Sequence, residues 1–207
     1  MRTAGETVPD LPPRNLTVAT TGASGSIFLQ QLLRILADEE RVSTVNFVAS
    51  DSALRVMAEE LNLKGRSNLV QQLLGVASEK IQLQSNDDIG ANIASGSYRA
   101  DAMIVLPCSA GTMARIANGI AAQLIERAAD VCLKERRPLV LCLRETPLNR
   151  IHLRNMQLAA EAGATIFPLI PAYYYHPATL EDLAREFAYR ILSHLSLPQP
   201  EAFQWKS

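Results

Sequence analysis

Short apolar runs alternate with stretches of helical spacing along most of the 207-residue chain. "LTVATT" (16–21) hands over to "SIFLQQLLRILADEE", and "VSTVNFVAS" (42–50) to "SALRVMAEEL" (52–61). "EKIQLQ" adds a short strand, "AMIVLPC" (102–108) a buried one stopped by Pro107, and "PLVLCLRE" (138–145) another. "ATIFPLIPA" supplies a last short strand. Such alternation builds a parallel sheet, because parallel neighbours need a crossover and a helix makes it. The expected fold class is α/β, with a mostly parallel six-stranded sheet between two helical layers. The later helices are "TMARIANGI", "AQLIERAADVCLKERR", "NRIHLRNMQLAAEAG" closed by Gly163, and "TLEDLAREFAYRILSHL". In the first helix Ile27, Leu32, Ile35 and Leu36 lie near one face. Residues 62–100 are less regular, with a loop at "IASGSYRAD".

The length is that of one domain, read as 16–207, after a polar, proline-containing extension at 1–15. Hydrophobic content of 48% with 20% charged residues allows a real core. A net charge of −1, without basic runs interleaved with aromatics, argues against nucleic acid. No apolar stretch approaches the roughly 20 residues of a membrane span. The start of the chain lacks the apolar segment of a signal peptide, and three cysteines without CxxC spacing fit a reducing compartment. The expectation is a cytoplasmic protein with no membrane partner. Three scattered histidines give no metal-ligand pattern, so no metal is expected.

Polar residues gather where strands end: Gly22–Ser26, Ser50, Pro107–Thr112 and Arg144–Pro147. Open parallel sheets bind ligands beyond the carboxyl ends of their strands. Amides, hydroxyls and one arginine there suit a phosphate that carries something flat and apolar. The helix starting at Ser26 offers free N–H groups to an anion, although Gly22-Ala23-Ser24-Gly25 also reads as a simple tight turn. The GxGxxG fingerprint is missing, as is an acidic residue closing the second strand, which argues against a nicotinamide. In "PCSAGT" (107–112) a helix cap by Ser109 or Thr112 uses the same donors as a phosphate site would. Cys108 reads as buried filler rather than a nucleophile. Arg127 and Lys134, seven apart, fall on nearly the same helix face; surface pairing with Glu126, Asp130 and Glu135 is the plainer reading. Arg144 and Glu145 end an apolar strand, where charges are functional or paired. Tyr173, Tyr174 and Tyr175 suit an interface or a pocket wall, Arg190 a surface ion pair, and His152 a structural hydrogen bond.

These segments together resemble the UbiX-type flavin prenyltransferases. The resemblance rests on "GASG" (22–25), "IASGS" (93–97), "LPCSAGTMARIANGI" (106–120), "RAADVCLKERRPLVLCLRETPLNRIHLRNM" (127–156) and "PAYYYHP" (171–177). It implies a Rossmann-like flavoprotein that transfers a dimethylallyl group from dimethylallyl phosphate to N5 and C6 of reduced FMN. The product, prenylated FMN, would serve a UbiD-type decarboxylase. Carried over residue by residue, Gly22, Ala23, Ser24, Ser50, Ser109, Ala110, Gly111, Thr112 and Arg144 would hold FMN. Tyr174, Arg190 and Lys134 would bind the prenyl phosphate, and Ser24, Arg127, Lys134 and Glu145 would be catalytic. Glu60 falls near another acidic family position. The resemblance also implies a homo-dodecamer, a site at a subunit contact and no metal. Asp51 departs from a frequent lysine, and Tyr175-His176 from a frequent His-Arg. The related FMN-dependent cysteine decarboxylases are the alternative; their "PASANT" and "PxMNxxM" segments are replaced here by "PCSAGT" and "TPLNRIHLRNM".

Overall fold

The computed structural model describes residues 12–63 and 67–204. Six strands, β1 (Asn15–Thr20), β2 (Thr44–Ala49), β3 (Ile81–Ser85), β4 (Ala102–Cys108), β5 (Leu139–Leu143) and β6 (Thr165–Ile166), form one sheet in the order β3-β2-β1-β4-β5-β6. Every pairing is parallel. The strand order therefore reverses between β1 and β4, which opens a crevice at their carboxyl ends. Among the described residues, seven α-helices flank the sheet: α1 (Ser26–Asp38), α2 (Asp51–Leu61), α3 (Leu69–Leu74), α4 (Ala110–Ala117), α5 (Leu124–Lys134), α6 (Arg150–Glu161) and α7 (Leu180–His194).

Side chains alternate along the strands and divide the core in two. Leu16, Val18, Ile104, Leu106, Val140 and Cys142 face α1, α2, α3 and α7. Ala19, Met103, Val105, Leu139 and Leu141 face α4, α5 and α6. This is the three-layer arrangement expected. Leu29, Leu32, Leu33 and Leu36 of α1 are fully buried, and truncating any of them to alanine costs about 2–5 kcal/mol. Ile27 and Ile35 are only half-buried, so the buried stripe of α1 is centred one residue away from the face expected.

Several boundaries differ from expectation for local reasons. Of the anticipated extension, residues 1–11 lie outside the described residues. Asn15 already belongs to β1, and Asp101 accepts hydrogen bonds from the Arg14 and Asn15 amides at 2.9 Å each. Pro107 does not stop β4, which continues to Cys108 through a register shift after Val105. A bulge is where a strand tolerates a residue without an N–H. The last strand shrinks to two residues, since Pro168 and Pro171 follow it closely. Helix α3 and a 3-10 turn at Asn92–Ala94 occupy the stretch that has no clear period in the sequence.

Candidate active site

A cleft of about 420 Å³ opens beside β1 and β4, at the reversal of strand order. Its floor is Thr21, which is buried. The Thr21 hydroxyl donates to the Pro107 carbonyl (3.0 Å) and accepts from the Ser109 amide (2.7 Å), tying the ends of β1 and β4 together. Two helices begin at this cleft, each capped by a serine. Ser50 Oγ accepts from the Ala53 amide (3.1 Å) at α2, and Ser109 Oγ accepts from the Thr112 amide (3.3 Å) at α4. The remaining first-turn amides of such helices have no intrahelical acceptor and carry the positive end of the dipole. Ser50, Ser109 and Thr112 thus line the cleft, with Ala110 and Gly111 forming the first turn of α4.

The β1–α1 loop closes the neighbouring side. A Cβ on Gly22 would stand 2.5 Å from the Ser52 side chain, so only glycine lets this loop approach the first turn of α2. Gly25 adopts φ +121°, a region that L side chains rarely enter. The anion at the start of α1 turns out to belong to the chain. Glu60 accepts hydrogen bonds from the Gly25 amide (3.0 Å) and the Ser26 amide (2.7 Å). Burial alone would raise its pKa, but these donors and the Ser24 hydroxyl outweigh it and hold the carboxyl below its ordinary range. The start of α1 is therefore already occupied by a carboxylate of the chain itself.

Glu126, expected as a surface partner of Arg127 and Lys134, is instead buried at the cleft, and sequence reasoning gave no role to Arg55 or Arg115. Glu126 is 3% exposed; it accepts from Arg115 Nε (2.7 Å) and from the Gln123 amide (3.1 Å), closing a capping box. Arg115 also donates to Thr112 Oγ1 (3.1 Å), so it braces the α4 cap. Asp51, Ser52, Arg55 and Asn86 complete the polar lining. The available signal was arginine at i+3 from Thr112 and an acid at N3 of the next helix.

The other anticipated residues are not in this cleft. Arg127 Nε donates to the Ala94 carbonyl (3.0 Å) and pairs with Asp130 (2.8 Å). Lys134 pairs with Glu135 (3.0 Å), and that pair lies so close to Gly96 that a Cβ there would collide with the Glu135 carboxylate. Arg127 and Lys134 thus share the face of α5 that meets residues 92–97, about 10 Å apart along the axis. Tyr174 and Arg190 line a separate small recess with Phe187 and Phe203. Tyr175 anchors the loop by donating to the Leu183 carbonyl (3.3 Å), while Tyr173 stays exposed. The tyrosine run therefore serves partly as recess wall and partly as open surface. Arg144 and Glu145 project from the end of β5, both exposed; the Arg144 amide reaches the Cys108 carbonyl (3.0 Å), and Glu145 accepts only from the neighbouring Thr146 amide (3.1 Å).

Cys108 and His152 have the structural roles expected of them. Burial pushes the Cys108 thiol up to about 12, and the buried Cys142 thiol is also raised, which removes the thiolate a nucleophile needs. His152 closes the α6 cap with Asn149, its amide donating to Asn149 Oδ1 (2.9 Å). No cluster of three metal-ligating side chains occurs among the described residues.

The Flavoprotein family profile matches residues 5–185. The flavin prenyltransferase UbiX of Pseudomonas aeruginosa is 43% identical over 199 residues, covering 93% of this chain and 94% of that protein. The chain belongs to the UbiX flavin prenyltransferase family. The Escherichia coli K12 relative is 41% identical over 188 residues, covering 91% of this chain and 95% of its own. The crystal structure of AnUbiX (PadA1), in complex with FMN and dimethylallyl pyrophosphate, superposes with a TM-score of 0.83 at 38% identity, covering 94% of this chain and 98% of that one. A dodecameric FMN-dependent UbiX-like decarboxylase from E. coli O157:H7 gives 0.82 at 38% identity, covering 93% and 100%. The FMN-dependent cysteine decarboxylase SpaF, at 20% identity and a TM-score of 0.54 over 73% of this chain and 82% of its own, shares the fold alone. The cleft of this UbiX-family chain suits FMN by its own chemistry. Two serine-capped helix starts, a hydroxyl floor and arginines form a donor set for a phosphate, within the volume range of cofactor pockets.

Proposed function

We propose that the protein is a flavin prenyltransferase joining the dimethylallyl group of dimethylallyl phosphate to N5 and C6 of reduced FMN. Its product is prenylated FMN, supplied to a UbiD-type decarboxylase. The observation that carries this reading is the 43% identity to a UbiX flavin prenyltransferase over 93% of the chain. Reduced FMN, when bound, supplies the electron-rich ring that receives the allyl group.

The chain's own residues then divide the work. Ser50, Ser109, Thr112 and the first turn of α4 hold the flavin phosphate. The Gly22–Ser24 loop and Arg144 close around the flavin, with Ser24 orienting it. Arg127, Lys134, Arg190 and the Tyr174 hydroxyl receive the phosphate that departs from the allyl carbons. Fixed donors of this kind supply several kcal/mol, because they need no reorganisation as charge develops. Glu145 accepts the proton released from C6; its carboxylate is exposed and contacts only an adjacent amide, so it is available as a base. No metal is required by this division of roles.

The transfer site is completed by neighbouring copies. Arg127 and Lys134 lie on α5, on the α4–α6 face of the sheet, whereas Arg190 lies on α7, on the opposite face. Lys134 also ends α5 just before β5 begins, while the cleft sits at the carboxyl ends of the strands. Exposed Ile151 and Leu153 on α6, and Ile170, Tyr173 and Leu180 around the tyrosine loop, support a homo-oligomer, a dodecamer as in the E. coli O157:H7 relative. No described helix is long and apolar enough to cross a membrane, and a cytoplasmic setting is the simplest one for this chemistry. The direct test is anaerobic incubation with reduced FMN and dimethylallyl phosphate, followed by mass spectrometry of the flavin. A flavin heavier by one five-carbon unit is expected. Unmodified flavin, together with turnover of a peptidyl cysteine by oxidised FMN, would replace this reading with the decarboxylase one.

A further inference from the structure

We infer that Arg55 is the residue that makes the cleft select a phosphate-bearing flavin over its dephosphorylated form. The inference rests on the FMN reading above and deepens it by assigning the source of phosphate selectivity. Among the described residues, four charged side chains line the cleft: Asp51, Arg55, Arg115 and Glu126. They balance as two cations and two carboxylates. Arg115 is already committed, since its guanidinium sits 2.7 Å from the buried Glu126 carboxylate and also holds Thr112. Its charge is cancelled locally, and its role is to brace the α4 cap. Arg55 differs. It is exposed at the cleft wall and makes no hydrogen bond or ion pair with any described residue.

The placement of Arg55 follows from helix geometry. Asp51 and Arg55 are i and i+4 on α2, so both fall on the face turned to the cleft. Asp51 strengthens the start of α2 through the helix dipole, but its carboxylate stands beside the serine-capped amides where a phosphate is to be held. With Arg55 the wall offers a forked donor matched to phosphate oxygens, one helical turn from the Ser50 cap. The helix amides already favour an anion through the dipole; the uncommitted guanidinium adds a full positive charge, which sharpens the discrimination between a phosphate and a neutral hydroxyl.

The test is titration of flavin-freed protein with FMN and with riboflavin, followed by flavin fluorescence, in the absence of any allyl phosphate. That arrangement separates the flavin's phosphate from the substrate's. Arg55→Ala is expected to weaken FMN at least about tenfold, the scale of a charge-assisted hydrogen bond, and to leave riboflavin within about twofold. Added salt should weaken FMN binding more steeply in the wild type than in the variant. Equal losses for both flavins in Arg55→Ala, or no loss for FMN, would overturn the inference while leaving the FMN reading intact. A wild-type protein that binds neither flavin would overturn the FMN reading, and this inference with it.

Discussion

The cleft beside β1 and β4 and the cations on α5 and α7 are built differently. The cleft is finished within one chain: its floor, both helix caps and the Arg115–Glu126 brace are mutually bonded at 2.7 to 3.3 Å. The cations are scattered. Arg127 and Lys134 sit over residues 92–97 and pair with Asp130 on their helix and Glu135 at its end, while Arg190 faces a recess beyond the other side of the sheet. The contrast teaches that holding a cofactor and performing the transfer are separate problems for this fold. One is solved by the sheet's topology. The other, on the reading proposed above, draws on neighbouring copies.

Breaking one region should leave the other standing. The largest effect is expected in the scattered set: Lys134→Ala or Glu145→Gln should slow product formation by about a hundredfold or more while FMN affinity stays within about twofold. Single-turnover assays beside flavin titrations would check it, and an equal loss of both would merge the two regions. Next comes the cleft's brace. Arg115→Ala strands the buried Glu126 carboxylate and should cost about 2–3 kcal/mol of stability in urea unfolding. Ser109→Ala removes the α4 cap and should cost about 1 kcal/mol, with weaker FMN binding as its distinguishing mark.

The smallest effect should come from outside both regions. Glu39, at the far end of α1, is held at about 2 chiefly by its hydrogen bond from Arg41. A depressed carboxylate stabilises the fold above its ordinary range near 4.5 and loses that contribution as pH falls toward 2. Glu39→Gln should therefore flatten the acid limb of stability between those values and leave transfer at neutral pH unchanged. An unaltered acid limb would remove Glu39 from the account.

Most of the sheet was legible because β-branched runs and helical spacing speak for themselves. Strand β4 lies where its apolar run predicts, Pro107 included, although the proline marks a bulge rather than an end. The stretch 62–100 was legible only in part: the strand expected at "EKIQLQ" is β3, but α3 is six residues long, too short to display a period. The site divided along the same line. Ser50, Ser109 and Thr112 were visible as cap residues at strand ends. Thr21, Arg55, Arg115 and Glu126 were not, because their meaning lies in pairings across 11 to 88 residues and in which helix face meets the cleft. Glu60 shows the limit best. Nothing local in α2 reveals that its carboxylate fills the start of α1.

The claim that the cofactor is held by one chain and the transfer is completed by others meets its most direct test in mixed oligomers. Lys134→Ala and Arg190→Ala proteins, each impaired alone, would be co-assembled and assayed for prenylated flavin. The account predicts that the mixture regains a substantial fraction of wild-type turnover, since some sites then draw an intact Lys134 and an intact Arg190 from different copies. A mixture no more active than its components would place both residues in the same chain's site and contradict it.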